Sequence, residues 1–409
     1  MTDSPRAEAL RRHVADAFES VQVPFFRALV DAPSHTKAKH DVEAAASMLD
    51  AAMDELGFGT ERVPDPDGVY ADHRIYQSPA VDDTPCLALV GHVDTVFPRS
   101  LGFLTWSREG DVVRGPGVLD MKSGLSCIVF ALQALRAVDQ PLFERLAVRF
   151  VCNADEEVGS PSSEPIFARL APKTSHALVF EGGRDGDKVI TQRKGGGMFT
   201  LTVTGRAAHA GVDHAAGVNA IAALAHLVAR VEALTDYDRG VTANVGLIEG
   251  GTAKNTVPEQ ARCVIDTRFE TVADAEAVRA ALEAIVASPW GDTVPQRLHE
   301  AAVVLGGAVT RPPMEASDES QALRRRYERH AAAAGLDVGE APRQGGGSDA
   351  NLLAAYGVPS IDGLGPFGKF FHKPQEWSSL QSLRRRTQAL ACFLAEHADR
   401  DAAVAPTDD

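Results

Sequence analysis

Five short segments of this chain carry residue types able to do chemistry. In Gly91-His92-Val93-Asp94-Thr95-Val96, a histidine and an aspartate stand two apart, so on an extended backbone both project from one side. An imidazole that ligates a metal usually leans its second nitrogen on an oxygen partner, and Asp94 is placed to serve, directly or by positioning a neighbour. A satisfied histidine at a polar strand end would show the same spacing. In Arg114-Gly115-Pro116-Gly117-Val118-Leu119-Asp120-Met121-Lys122-Ser123-Gly124, the glycines and proline permit a tight path. Asp120 then precedes a helix, as a ligand or as an N-cap. Asn153-Ala154-Asp155-Glu156-Glu157-Val158-Gly159-Ser160 offers adjacent glutamates, which diverge on any regular backbone. One can bind metal while the other reaches water, or the run is a solvated loop. Glu181, in Phe180-Glu181-Gly182-Gly183, and His372, in Phe370-Phe371-His372-Lys373, complete the set. Two histidines and three carboxylates match a dinuclear site of mixed nitrogen and oxygen ligands. Asp120, Glu157 and Glu181 with one hydroxide would balance two divalent ions, which is how acids cluster despite their repulsion.

The elements that must position these residues alternate between strand-like and helix-like, which argues for an α/β fold. Apolar runs at 87–90, 146–151 and 177–180 read as buried strands, each running straight into polar residues, the place where open α/β sheets form sites. Residues 124–138 have helical spacing, with Ile128, Ala131, Leu132 and Leu135 on one face. The character changes after Lys194-Gly195-Gly196-Gly197, expected to be flexible. Strands are expected at 199–203, 241–248, 261–269 and 301–305, and helices at 219–234 and 272–288, together an α+β unit with one solvated sheet face. From about Arg311 the α/β pattern returns, with helices near 317–334, 349–356 and 380–397, a strand near 358–361, and a frayed tail from Asp399. The domains implied are 1–193 plus 311–409, interrupted by 194–310.

Taken in order, Gly-His-x-Asp-Thr-Val, Asp-Met-Lys-x-Gly and Asp-Glu-Glu-x-Gly-Ser resemble the M20 family of metallopeptidases, in particular its glutamate carboxypeptidase branch. Acetylornithine and succinyl-diaminopimelate deacylases are relatives, and the likeness runs from about residue 20 to 395. It implies a zinc-peptidase-like catalytic domain with an inserted α+β, ferredoxin-like lid that dimerises. It also implies one metal on His92, Asp120 and Glu181 and another on Asp120, Glu157 and His372, with Asp120 bridging and its bond to Met121 cis. Glu156 would be the general base. His209, in His209-Ala210-Gly211, resembles the histidine that reaches across the dimer to polarise the substrate carbonyl. Asn255, Arg311 and Gly347 resemble substrate contacts, with Arg268 an alternative to Arg311. The sequence departs from the family where Gly182-Gly183 replaces a common proline and at Lys373-Pro374-Gln375-Glu376-Trp377. The ligands suit zinc, manganese or cobalt alike. The reaction implied is hydrolysis of an N-acyl amino acid or short peptide with a free α-carboxylate. A deacylase on the same ligands is the enzymatic rival, and a non-catalytic metal-binding scaffold the rival of another class.

Composition excludes other classes. The 409 residues are 44% hydrophobic, with 41 Lys+Arg against 56 Asp+Glu and a formal charge of −15, which disfavours nucleic acid and anionic membranes as partners. No apolar run approaches the roughly 18 residues that span a bilayer, and no signal sequence opens the chain, so a cytoplasmic protein is expected. Five scattered cysteines form neither a C-x-x-C pair nor a disulfide framework; Cys86, Cys127 and Cys152 read as core residues. No G-x-S-x-G elbow occurs, and Gly347-Ser348-Asp349-Ala350 does not supply one. The run Arg384-Arg385-Arg386 lies in a helical stretch and reads as a solvated face.

Overall fold

The apolar run that ends at the first histidine forms the strand Cys86–His92, and all of its residues are buried. The structure, a computed structural model, describes residues 4–337 and 339–404. Val148–Asn153 and Thr174–Val179 pair in parallel on either side of that strand, and Ser360–Ile361 extends the parallel set. His73–Gln77 and Gly59–Val63 close the opposite edge antiparallel, giving a six-stranded sheet. Strands covered on both faces read as unbroken apolar runs, which is why these segments show no alternation. Because the central three run in one direction, their carboxyl ends lie along one edge. There they deliver His92, the loop after Asn153, and Glu181.

The helix Lys122–Val138 departs from the one-faced reading, since it is buried around its whole circumference from Lys122 to Leu132. Strand Cys86–His92 packs against it, and so do the helices Pro5–Ala17, Val23–Asp31 and Leu380–Val404. A Cβ added at Gly124 would lie 2.2 Å from the Phe180 carbonyl oxygen, so only glycine lets this helix approach the residue before Glu181. The last helix, Leu380–Val404, continues past the expected end near His397, so 399–404 are helical and the rest of the tail lies outside the described residues. It also corrects the reading of the arginine run. Arg386 is fully buried and donates to the carbonyls of Asp187 and Gly363, whereas Arg384 and Arg385 are partly exposed. Successive helical residues are about 100° apart, so a helix lying on the protein body cannot present three in a row to water.

Contacts divide the chain into two compact units, and the second comprises Gln192–Glu315 with Gln344–Gly347. Its antiparallel sheet runs, in space, Ala302–Arg311, Gly195–Thr204, Gln260–Phe269, Thr242–Gly250. The helices Ala220–Glu232 and Val272–Ala287 complete a βαββαβ, ferredoxin-like order. Phe199, Leu201 and Val203 meet Leu224, Leu227 and Leu282 in its core, while Thr200 and Thr202 alternate outward. The glycine run expected to be flexible is the start of a central strand, with Gly195–Gly197 opposite Thr267–Phe269. A Cβ on Gly195 would fall 2.3 Å from the Phe269 ring, so the glycine answers to packing and not to mobility.

All five cysteines are buried free thiols. Among the described residues no helix is long and apolar enough to cross a membrane. Gly124→Ala is expected to cost about 1–3 kcal/mol through overpacking. Urea unfolding measures this, and a loss under a few tenths would show that the helix can retreat from Phe180.

Candidate metal centre

Asp120 stands between two histidines. Its Oδ1 lies 3.3 Å from His92 Nε2, and its Oδ2 lies 3.0 Å from His372 Nε2. Glu181 Oε1 is 3.7 Å from the first imidazole, and Glu157 Oε2 is 3.1 Å from the second. The five side chains thus fall into two groups sharing Asp120, with the ligand atoms of each group within 4.8 Å of one another. Glu157 Oε1 is buried with no hydrogen-bond partner. A buried carboxylate oxygen without a donor is costly, and a cation would satisfy it. The donor set of two imidazoles and three carboxylates therefore fits divalent metal ions. Asp120 is not an N-cap: that position is Met121, without a side-chain cap, and the Asp120–Met121 bond is cis.

Asp94 belongs to neither group, yet it organises both. His92 Nδ1 sits 2.9 Å from the Asp94 carbonyl and 3.3 Å from its Oδ1, so Nε2 is the nitrogen turned toward Asp120 and Glu181. The two Asp94 carboxylate oxygens also accept from the backbone amides of Glu156 and Glu157, each at 3.3 Å, and Oδ2 accepts from Thr36 Oγ1 at 2.7 Å. Behind that turn, Asp155 accepts from the amides of Ser162 and Ser163 and from the Ser163 hydroxyl. Asp349 accepts from Asn153 Nδ2 at 2.8 Å and from the Ser160 hydroxyl. Glu156 is partly exposed and outside both groups. Ser348, in the segment considered for a nucleophile, is buried, donates to Asp362 and caps the helix Asp349–Ala355.

Packing these charges together shifts their proton equilibria. Hydrogen bonds to Asp120 and Glu157 hold the His372 pKa up at about 11. For His92, burial works against protonation, but Asp120, Asp94 and Glu181 outweigh it and raise the pKa well above its ordinary value. Burial, and then the charge of Asp120, pushes Glu181 up to about 7 and Glu157 well up. Asp120 goes the other way: burial opposes its charge, but the two histidines hold it below the usual carboxylate range. At neutral pH the cluster holds protons where a cation would sit.

The chain is similar to several known proteins. Residues 191–294 match the M20 peptidase dimerisation domain. The chain is 28% identical to carboxypeptidase G2 of Pseudomonas sp. (strain RS-16), covering 90% of this chain and 87% of that protein. It is also 28% identical to succinyl-diaminopimelate desuccinylase of Rhodopseudomonas palustris, covering 88% and 95%. Among solved structures, the Bacillus subtilis YXEP protein, a dinuclear metal-binding peptidase of the M20 family, superposes with a TM-score of 0.67 at 16% identity over 94% of this chain and 99% of that one. The chain is thus similar to M20 metallopeptidases, in sequence over most of its length and in fold.

The remaining expected site residues lie in the second unit. His209 is exposed and bridges Thr256, while Ala210 N–H donates to the Asn255 carbonyl at 2.9 Å, so two residues far apart in sequence become neighbours. Gly211 N–H donates to His209 Nδ1, which leaves the proton of the neutral ring on Nε2. Arg268 is held bidentate by Asp266 at 2.9 and 2.8 Å. Arg311 ends an edge strand beside Gly347, where a Cβ would lie 2.3 Å from Arg311 Cδ. Glycine at 347 is what makes room for that side chain.

Two buried ionisable groups near the candidate ligands went unrecognised in sequence. Lys122 is fully buried with Nζ on the Ala32 carbonyl at 2.7 Å, and burial pushes its pKa down to about 7. Glu376 is also fully buried, and burial pushes it up to about 8. The available signals were their places, two residues after Asp120 and four after His372.

Metal ligands must be deprotonated, so loading this cluster releases protons and tightens as pH rises. His372, with its pKa near 11, is protonated in the metal-free protein throughout about pH 6 to 8, and Glu181 gives up its proton near 7. Calorimetric titration with zinc in buffers of different ionisation enthalpy is expected to show net proton release across that window, larger below pH 7 than above it. Binding with no net release would contradict the charge pattern described.

Proposed function

We propose that this chain is a two-metal amidohydrolase that cleaves the amide bond of an N-acyl amino acid or short peptide bearing a free α-carboxylate, in the manner of a glutamate carboxypeptidase. The observation that carries the reading is the Asp120 carboxylate, shared between one histidine–glutamate pair and another. His92, Asp120 and Glu181 would hold one divalent ion, and Asp120, Glu157 and His372 the other, with zinc first and manganese or cobalt equally suited to the donors. The contribution of the ions when bound would be to polarise the scissile carbonyl and to lower the pKa of water toward neutrality.

The other steps belong to the chain's own side chains. Glu156 takes the proton of the attacking water and returns it to the departing amine. Asp94 keeps that base in place through the Glu156 amide while fixing the His92 ring. His209, with its proton on Nε2, donates to the developing oxyanion in the active site of the other subunit of a homodimer. The match to a dimerisation domain supports the dimer. The substrate carboxylate is assigned to Arg311 or Arg268, with Asn255, because a planar fork suits a carboxylate bidentately. The likeness to a desuccinylase favours one second reading, removal of an acyl group from an amino acid by the same machinery.

Three measurements test this. Glu156→Gln is expected to retain its metal by elemental analysis while losing roughly 10²-fold or more in kcat, the usual range for an acid–base group; near-normal turnover removes Glu156 from its role. Dimers mixed from His209→Ala and Glu156→Gln chains are expected to regain activity in one site, and no recovery places His209 outside the partner's reaction. A panel of N-acyl glutamates, other N-acyl amino acids and dipeptides separates the two substrate readings, since free acetate or succinate as the preferred product favours the deacylase.

A further inference from the structure

Asp120 is reached by a turn that neither a helix nor a sheet stabilises. Residues 115–121 connect the strand Val112–Arg114 to the helix Lys122–Val138, and the Leu119 and Asp120 amides lie outside both elements. Both amides donate to one carboxylate oxygen. Glu376 Oε1 accepts from Leu119 N–H at 2.7 Å and from Asp120 N–H at 3.2 Å. The second oxygen, Oε2, is buried and has no hydrogen-bond partner.

Glu376 comes from the segment that carries His372. That segment folds on itself, Lys373 N–H donating to the Phe370 carbonyl at 3.1 Å and Glu376 N–H to the Lys373 carbonyl at 2.8 Å. It then enters the strand Trp377–Ser379, which pairs antiparallel with Val112–Arg114, the strand leading into the Asp120 turn. Glu376 and His372 are therefore two grips of one segment on one aspartate: the carboxylate holds its backbone, and the imidazole faces its Oδ2 at 3.0 Å. A buried polar oxygen is costly unless it is hydrogen-bonded, and Oε1 takes both of these backbone donors.

We propose that Glu376 is a positioning residue for the shared metal ligand, locking the Asp120 backbone to the His372 segment so that both carboxylate oxygens reach their histidines. The inference rests on the two-metal reading of the site. What it requires of Glu376 is reach and an acceptor oxygen. A role based on charge requires only a carboxylate, and a merely structural role alters stability and leaves metal affinity alone.

Two variants of the full chain separate these roles. Glu376→Gln keeps the length and the acceptor oxygen and removes the charge; Glu376→Asp keeps the charge and draws it back by one methylene. Metal-free proteins are titrated with zinc in competition with a chromogenic chelator, and the melting of each metal-free protein is followed separately. Glu376→Gln is expected to bind within about threefold of the unmodified protein and Glu376→Asp about 10- to 100-fold more weakly, the usual consequence of losing a partner behind a ligand. Equal affinity for Glu376→Asp and the unmodified protein, or a loss in Glu376→Gln as large as in Glu376→Asp, overturns the proposal. If Glu376→Asp does not fold, Glu376→Gln decides alone, a loss of tenfold or more counting against it. Failure of the unmodified protein to bind zinc defeats the two-metal reading itself and is visible before any variant is compared.

Discussion

One carboxylate with two histidines sets the terms for the rest of this protein. Asp120 is buried, ionised, and contacted on each oxygen by a separate imidazole, each of which faces a further glutamate. Three buried carboxylates this close repel one another strongly, and in a medium of low dielectric that repulsion cannot be screened. Protons held on the histidines and on Glu157 and Glu181 relieve it in the metal-free protein. Divalent cations would relieve it more completely. The same arithmetic makes the cluster a candidate cation site and a poor contributor to stability without charge partners.

Such a cluster needs a scaffold that tolerates no drift, and three layers of contacts supply it. The parallel strands bring His92 and Glu181 to one sheet edge with backbone ladders on both sides. Asp94 then ties the His92 ring to the amides of Glu156 and Glu157, so that a ligand, the proposed base and a second ligand share one anchor. Behind them, His73 accepts from the Ala154 amide through Nδ1 and meets Ser162 Oγ at 2.8 Å, and that hydroxyl reaches Asp155. Burial keeps His73 neutral, as a ring with one accepting nitrogen must be. Polar chains of this kind are fully satisfied or harmful, and this one is satisfied at each link named.

Much of this was legible in the sequence because the ligands sit where a strand or helix begins or ends. Buried strands announce themselves as apolar runs, and their polar sequels marked His92, the Glu156–Glu157 turn and Glu181 without knowledge of pairing. What stayed hidden depends on register or tertiary contact. A backbone bridge makes His209 and Asn255 neighbours, and only side-chain placement shows that Arg268 meets Asp266 and that Arg311 lies beside Gly347. The burial of Glu376 and Lys122 was not readable because residue type carries no information about burial. Arg386 misled for the same reason, and the glycines at 195–197 because a packing requirement and a flexibility requirement leave the same residue type.

The backbone itself shows where the fold departs from local preference. Among the described residues, the non-glycine positions in the left-handed region are Ser160, Asp187, Phe370 and His372. Three of these flank or form the loops that carry Glu156, Glu157 and His372. Each such residue costs on the order of 1–3 kcal/mol and persists only where its surroundings over-determine it. Ser160 is held by its amide on the Asp155 carbonyl and its hydroxyl on Asp349. His372 is held by Asp120 and Glu157 through one nitrogen, on a side chain that is otherwise 56% exposed. The two loops are thus secured differently. The glutamate loop is pinned from within by a dry polar network, whereas the His372 loop leans on the cluster it helps to build and on Glu376 at its base. Of the five candidate ligands, His372 is the one whose place depends most on charge being present at the centre.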